Sequence, residues 1–230
     1  MHQQVLTGEA SLAEEIVGIL RIRIITGEYA MGEKLVENKI ATELKVSRTP
    51  VRDAFKQLTK ERLVEYIPNK GCFARGFTED DMRDIYAVRE AVEQLAVEWA
   101  INNRTEEDIA KLREQLEIMS VYTAKKMSDK LLQANEDFNN IIYQMTESRF
   151  IVQALKSYQE YIQLARKGIL SKEENLQGIY DEHVNIYEAI AAGDVELAKA
   201  EVRKHLEESS KRATQKWLEV KNQEKEMRNV

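Results

Sequence analysis

The chain has 230 residues, 43% hydrophobic and 32% charged, with a formal net charge of −6. That balance provides for a sizeable core under a solvated surface, and it excludes a disordered chain, a collagen-like chain and a membrane-spanning protein. One cysteine, Cys72, leaves no internal disulfide, and acids at Glu9, Glu14 and Glu15 do not make the start of a signal peptide, so a reducing cytoplasm is the expected compartment.

Helix breakers and charge divide the chain at the same place. Both prolines, Pro50 and Pro68, and six of the nine glycines lie in residues 1–76. That stretch carries 12 Lys and Arg against 10 Asp and Glu; residues 77–230 carry 22 against 30. A mildly basic front module, residues 1–76, is therefore expected before an acidic helical module, residues 77–222. The polar end, residues 223–230, is expected to fray.

In the front module, Ser11 and Glu14 have capping-box spacing. Leu12, Ile16, Ile19, Leu20 and Ile24 follow at helical spacing, with Gly27 as a stop. A second short helix fits Glu37–Leu44, with Ile40, Ala41 and Leu44 inward. Ser47 is placed to cap a third, with Pro50 in its first turn and Val51, Phe55 and Leu58 as the buried stripe. Residues 63–68 read as a strand, Asn69-Lys70-Gly71 as a tight turn and residues 72–75 as the returning strand. Three helices and a hairpin describe a winged helix-turn-helix, whose third helix enters the DNA major groove. Arg48 and Arg52, four apart, share a face of that helix, and a guanidinium fits guanine O6 and N7 with two hydrogen bonds. Ser47 and Thr49 are placed to reach phosphates, and Lys70 with Gly71 forms the wing tip. The plain alternative is two merely exposed helix arginines.

The run Val46-Ser47-Arg48-Thr49-Pro50-Val51-Arg52-Asp53-Ala54, with Glu33–Glu37 before it and Asn69–Ala74 after it, resembles the DNA-binding domain of the GntR family of bacterial transcription regulators. The resemblance implies that Arg48 and Arg52 contact bases and that Ser47 and Thr49 contact phosphates. Family members often carry Gly or Glu where this chain has Lys45 and Lys60-Glu61-Arg62; these departures are expected to be tolerated surface changes.

In the back module, Thr78 precedes an acidic first turn, and Met82, Ile85, Val88, Val92, Leu95 and Trp99 are expected on one inward stripe. Thr105 starts a second helix with Ile109, Leu112, Leu116 and Met119 inward. Ser128 and Ser148 are candidate caps for a third and a fourth. Residues 173–192 form a fifth, ended by Gly193, and Asp194 caps a sixth. The fold class is mainly α: a winged helix-turn-helix with a small hairpin wing, then an all-α bundle of six or seven helices. Three features stand out. His183 and His205 lie on successive helices, either as satisfied core histidines or as ligands. Asn135 and Asn139 share a helical face with Leu131 and Ile142, either for a helix–helix hydrogen bond or for a polar cavity. Arg89 lies among apolar neighbours, either to pair with Glu93 or to clamp a carboxylate.

Residues 78–215 look like the FCD ligand-binding domain of the FadR subfamily within GntR regulators. The likeness is carried by Arg89-x3-Glu93, Asn135-x2-Phe138-Asn139, Glu182-His183, Gly193-Asp194 and Lys204-His205-Leu206. It implies an effector site near Arg89, Asn135, Asn139, His183 and His205. Family domains often hold a divalent metal on an Asp, a His four residues later and two further His; here Asn135 and Asn139 occupy the first two positions. A neutral amide oxygen is a weak ligand for zinc, nickel or manganese, so the site at His183, His205, Asn135 and Asn139 is open between a metal-free pocket and a weak metal site. The expected function is a cytoplasmic repressor that binds a palindromic double-stranded DNA operator as a homodimer and answers to a small organic-acid effector. Alternatives are a metal-responsive regulator of the same fold and a metal-assisted hydrolase using His183 and His205.

Overall fold

The computed structural model describes residues 12–166 and 175–228. The chain divides into two units, Met1–Glu79 and Asp80–Val230. In the first, α1 (Leu12–Ile25) buries Ile16, Val17, Leu20, Ile24 and Ile25. Ser11, the expected cap, lies outside the described residues. A two-residue strand, β1 (Lys34–Leu35), precedes α2 (Glu37–Leu44), which buries Ile40 and Ala41 and leaves Leu44 half-buried. α3 (Arg48–Lys60) sends Val51, Ala54, Phe55 and Leu58 inward, the three-and-four spacing that puts side chains on one helical face. β2 (Val64–Ile67) and β3 (Gly71–Ala74) form the wing, with Tyr66 opposite Cys72 and Ile67 opposite Gly71. Asn69 (φ 63°) and Gly71 (φ 105°) take the left-handed conformations of the turn between them.

The sheet is three-stranded and antiparallel, in the order β1-β3-β2. β1 was not anticipated from the sequence, because two residues are too few to show alternation. Its place is set by backbone pairing, with Gly32 N–H donating to Ala74 O and Ala74 N–H to Glu33 O, both 2.8 Å.

One front-module expectation is corrected. Ser47 stands at the N-cap of α3 with extended backbone, but its hydroxyl makes no cap hydrogen bond. The departures from the family pattern lie at the surface, with Lys45, Lys60 and Arg62 exposed and Glu61 half-buried. Lys45 (φ 57°) and Arg62 (φ 59°) occupy left-handed backbone, where glycine is at ease and a side chain is strained. Glu61 holds Arg21 of α1 with two hydrogen bonds, 2.8 and 2.7 Å, tying α1 to the end of α3.

The second unit holds α4 (Glu79–Asn103), α5 (Glu106–Ala124), α6 (Ser128–Met145), α7 (Arg149–Arg166), α8 (Leu176–Ala192) and α9 (Val195–Arg228). Several boundaries follow local chemistry. Thr105 and Asp108 form a reciprocal capping box on α5. Ser148 Oγ accepts from Ile151 N–H (3.3 Å), Asn175 Oδ1 from Gly178 N–H (3.0 Å) and Asp194 Oδ1 from Leu197 N–H (3.0 Å), capping α7, α8 and α9. Gly193 (φ 74°) ends α8. Ser128 differs from expectation: it is the first residue of α6, whose N-cap is Met127 with no side-chain cap bond. α9 is helical to Arg228.

The inward stripe of α4 also differs from expectation. The buried row is Met82, Tyr86, Arg89, Glu93, Ala96, Val97, Ala100 and Ile101, while Val88 (44% exposed), Leu95 (41%) and Trp99 (41%) face outward. The predicted row lies one residue, about 100° of helix, away from the true one. Arg89 and Glu93 neutralise each other, and a paired polar row can then go inside where hydropathy alone would not put it.

Candidate nucleic-acid interface and ligand cavity

The opening turn of α3 is presented by the tight α2–α3 turn, in which Val46 N–H donates to Ala41 O (3.0 Å). Arg48 and Arg52 are exposed along one side of this turn, with Ser47 and Thr49 exposed beside them. The first turn of α3 contains no acidic residue, so the positive end of its dipole is uncompensated there. Lys70 is exposed at the wing turn, with Gly71 beside it. Both arginines bond Glu37 of α2, a partner that sequence reasoning missed. No local signal marks it, since it lies 11 and 15 residues from them.

In the helical unit, Arg89 and Glu93 are both buried. Arg89 Nε and Nη2 donate to Glu93 Oε1 at 2.9 and 2.6 Å, and Tyr143 Oη donates to the same oxygen at 2.9 Å. Burial opposes the Arg89 charge, but the Glu93 carboxylate outweighs it, so the guanidinium stays ionised. Burial and the neighbouring Glu93 charge push the Tyr143 hydroxyl well above its ordinary pKa. The structure thus realises the structural role considered for Arg89, and it also places Arg89 in the wall of a cavity.

That cavity, about 40 Å³, is lined by Arg89, Asn135, Asn139, Gln159, His205 and Ser209 among others. It is large enough for a few waters or one end of a small polar ligand. Four of the five residues expected at an effector site therefore come together. The fifth, His183, is fully buried behind the wall and touches the Asn135 amide through Nε2. Gln159 Nε2 is a buried donor with no hydrogen-bond partner among the described residues, and sequence reasoning did not single it out. Its signal is weak, since a glutamine on an amphipathic helix is ordinary.

The two histidines are held in different ways. His183 Nδ1 faces Ile179 O at 2.7 Å, and its Nε2 faces Asn135 Oδ1. Burial first, and the neighbouring His205 second, push its pKa down to about 3. His205 Nδ1 meets Glu182 Oε2 at 2.8 Å, and Arg212 adds two further 2.8 Å bonds to the same carboxylate. Burial works to raise the Glu182 pKa, but the hydrogen bonds from His205 and Arg212 prevail and hold it at about 2.

These residues do not fit a divalent cation. The four positions supply two imidazoles and two neutral amides, with no anion among them. Asn135 Oδ1 already lies against His183 Nε2 and also accepts from Asn139 Nδ2 at 3.2 Å, so this carbonyl oxygen is engaged within the protein. The Arg89 charge stands in the same cavity wall. Among the described residues, no group of three or more His, Cys, Asp or Glu is gathered for a metal. No helix among them is long and apolar enough to cross a membrane.

Comparison with known proteins gives two family matches: the FCD domain over residues 84–208, and the bacterial regulatory proteins of the gntR family over residues 12–74. The Nta operon transcriptional regulator of Aminobacter aminovorans is 31% identical over 142 residues, 62% of this chain and 67% of that protein. The gluconate operon transcriptional repressor of Bacillus licheniformis is 29% identical over 214 residues, 91% and 88% of the two chains. Among solved structures, Escherichia coli McbR/YncC superposes with a TM-score of 0.65 at 20% identity, covering 90% of this chain and 99% of its own, which is a likeness of fold.

Proposed function

The chain belongs to the GntR family of bacterial regulatory proteins and carries an FCD domain behind its winged helix, and on that premise we propose that it is a repressor that binds a palindromic operator as a homodimer and answers to a small organic acid. One observation carries the reading: two exposed arginines lie one turn apart on one side of the N-terminal part of α3, the part of a recognition helix that meets base edges. In this reading Arg48 and Arg52 read guanines. Ser47, Thr49, Lys70 and Gly71 hold the DNA backbone, and the uncapped Ser47 hydroxyl suits that task.

The ligand part rests on the helical cavity. Arg89 uses two of its five N–H groups on Glu93, and the unpartnered Gln159 Nε2 is a second donor. With Asn135, Asn139 and His205 in the wall and His183 behind it, that set suits a carboxylate. The ligand shifts DNA binding only to the extent that it binds the operator-competent and incompetent forms unequally. The homodimer rests on α4, whose exposed Val88, Leu95 and Trp99 form an apolar stripe for a second copy to cover.

The test is a fluorescence-anisotropy titration of an operator selected from random duplexes. Arg52→Ala is expected to remove about 1–3 kcal/mol of discrimination between that operator and a scrambled duplex. Unchanged discrimination refutes the recognition-helix assignment. The same titration with a panel of small carboxylates is expected to show at least one that shifts operator affinity; a panel without effect removes the organic-acid part.

A further inference from the structure

The two recognition arginines share one carboxylate. Arg52 reaches Glu37 through Nε (3.2 Å to Oε1) and Nη2 (3.1 Å to Oε2), and Arg48 through Nη2 (3.2 Å to Oε2). We propose that Glu37 is a positioning residue for base readout: its carboxylate holds Arg48 and Arg52 together so that both guanidinium groups meet guanine edges within one half-site. This rests on the preceding reading that the two arginines contact bases.

The geometry suits the task. Arg52 spends Nε–H and one Nη2–H on Glu37, which leaves the end-on fork of Nη1 and Nη2 for guanine O6 and N7. Because both Nη2 atoms lie on the same Glu37 oxygen, they stand within about 6 Å of each other, less than two base-pair steps of ~3.4 Å. Glu37 is the most covered of the three side chains, at 25% exposure against 58% and 54% for Arg48 and Arg52. A long arginine free in solvent surrenders its rotamer freedom when it docks; a tether removes part of that freedom beforehand. Hydrogen bonds from Arg52, then from Arg48, hold the Glu37 carboxyl below the usual carboxylate range, so it stays ionised.

The same carboxylate opposes indiscriminate binding. An anion on a surface that approaches phosphates weakens attraction to any duplex, and only a sequence that engages both arginines offsets it. Glu37 thus trades non-specific affinity for discrimination. It occupies the first position of α2, and the helix-turn-helix packing alone brings it to residues 48 and 52.

The experiment uses the full chain, an operator selected by the wild type from random duplexes, and a scrambled duplex at one salt concentration. Glu37→Gln is expected to lower the operator-to-scrambled affinity ratio about tenfold, weakening the operator while scrambled binding stays level or tightens. Repeating the selection with the variant is expected to show relaxed guanine preference at two positions no more than about two base pairs apart. Glu37→Asp, which keeps the charge but falls one methylene short, is expected to lie between the two. Equal weakening of both duplexes indicates a merely structural residue, and equal tightening a mere charge; either overturns the proposal. So does a changed preference at a single cytosine, since Glu37 would then be reading a base itself. Arg52→Ala in parallel separates the levels. If it keeps operator preference, the DNA-reading face is misassigned; if it loses that preference and Glu37→Gln does not, only the positioning role falls.

Discussion

His183 shows how one buried residue couples stability to pH. Its unfolded pKa is about 6.5, and burial with the neighbouring His205 lowers it to about 3 in the folded chain. As pH falls, the unfolded chain takes up the proton first. The contribution is therefore complete above about 6.5 and is lost progressively between there and 3. Glu182, held at about 2, acts in the same direction below the ordinary carboxylate range. The expected result in urea unfolding is that the wild type loses about 1–2 kcal/mol more between pH 7 and pH 5 than His183→Gln does. Equal losses would mean that folding does not lower the His183 pKa. Much of this cluster was legible as residue types on inward faces: Arg89, Asn135, Asn139, His183 and His205. Their partners were not, because Tyr143 lies 50 residues from Glu93, and Arg212 lies 30 from Glu182.

At the scale of the element, α6 decides the ion question with one turn. Asn135 and Asn139 sit four apart on one face, where helical spacing puts both beside the cavity. Restoring an anion and an imidazole by Asn135→Asp with Asn139→His is expected to create a site for about one zinc or nickel per chain, read by elemental analysis after dialysis, while the wild type stays near zero. A wild type that retains one ion per chain, and loses it on His205→Ala, would overturn the misfit. A double variant that also stays empty would show that something other than the two amides keeps metal out. α4 teaches the complementary lesson. Hydropathy marked the row 85, 88, 92, 95 and 99 as core, yet the neighbouring row went inside because Arg89 and Glu93 satisfy each other there. β1 was invisible for another reason: a strand of two residues is defined by its neighbour, not by its own pattern.

At the scale of the molecule, the outward row of α4 bears on assembly. Trp99→Glu places a charge on that apolar face, and it is expected to convert a dimer into a monomer in sedimentation and to weaken operator binding by uncoupling the two half-sites. A variant that still sediments as a dimer would move the contact elsewhere. The division into a basic winged helix and an acidic helical unit was readable from breakers, charge and periodicity, because each of these acts within a few residues along the chain. The exposed arginine pair of α3 was readable for the same reason, since the spacing of Arg48 and Arg52 on one short helix depends on nothing distant. Only the tertiary structure decided that Glu37 holds both arginines, that Tyr143 donates to Glu93, and that Asn135 meets His183. Each of these is a hydrogen bond between segments distant in sequence, and a single hydrogen bond leaves no periodic trace in either segment.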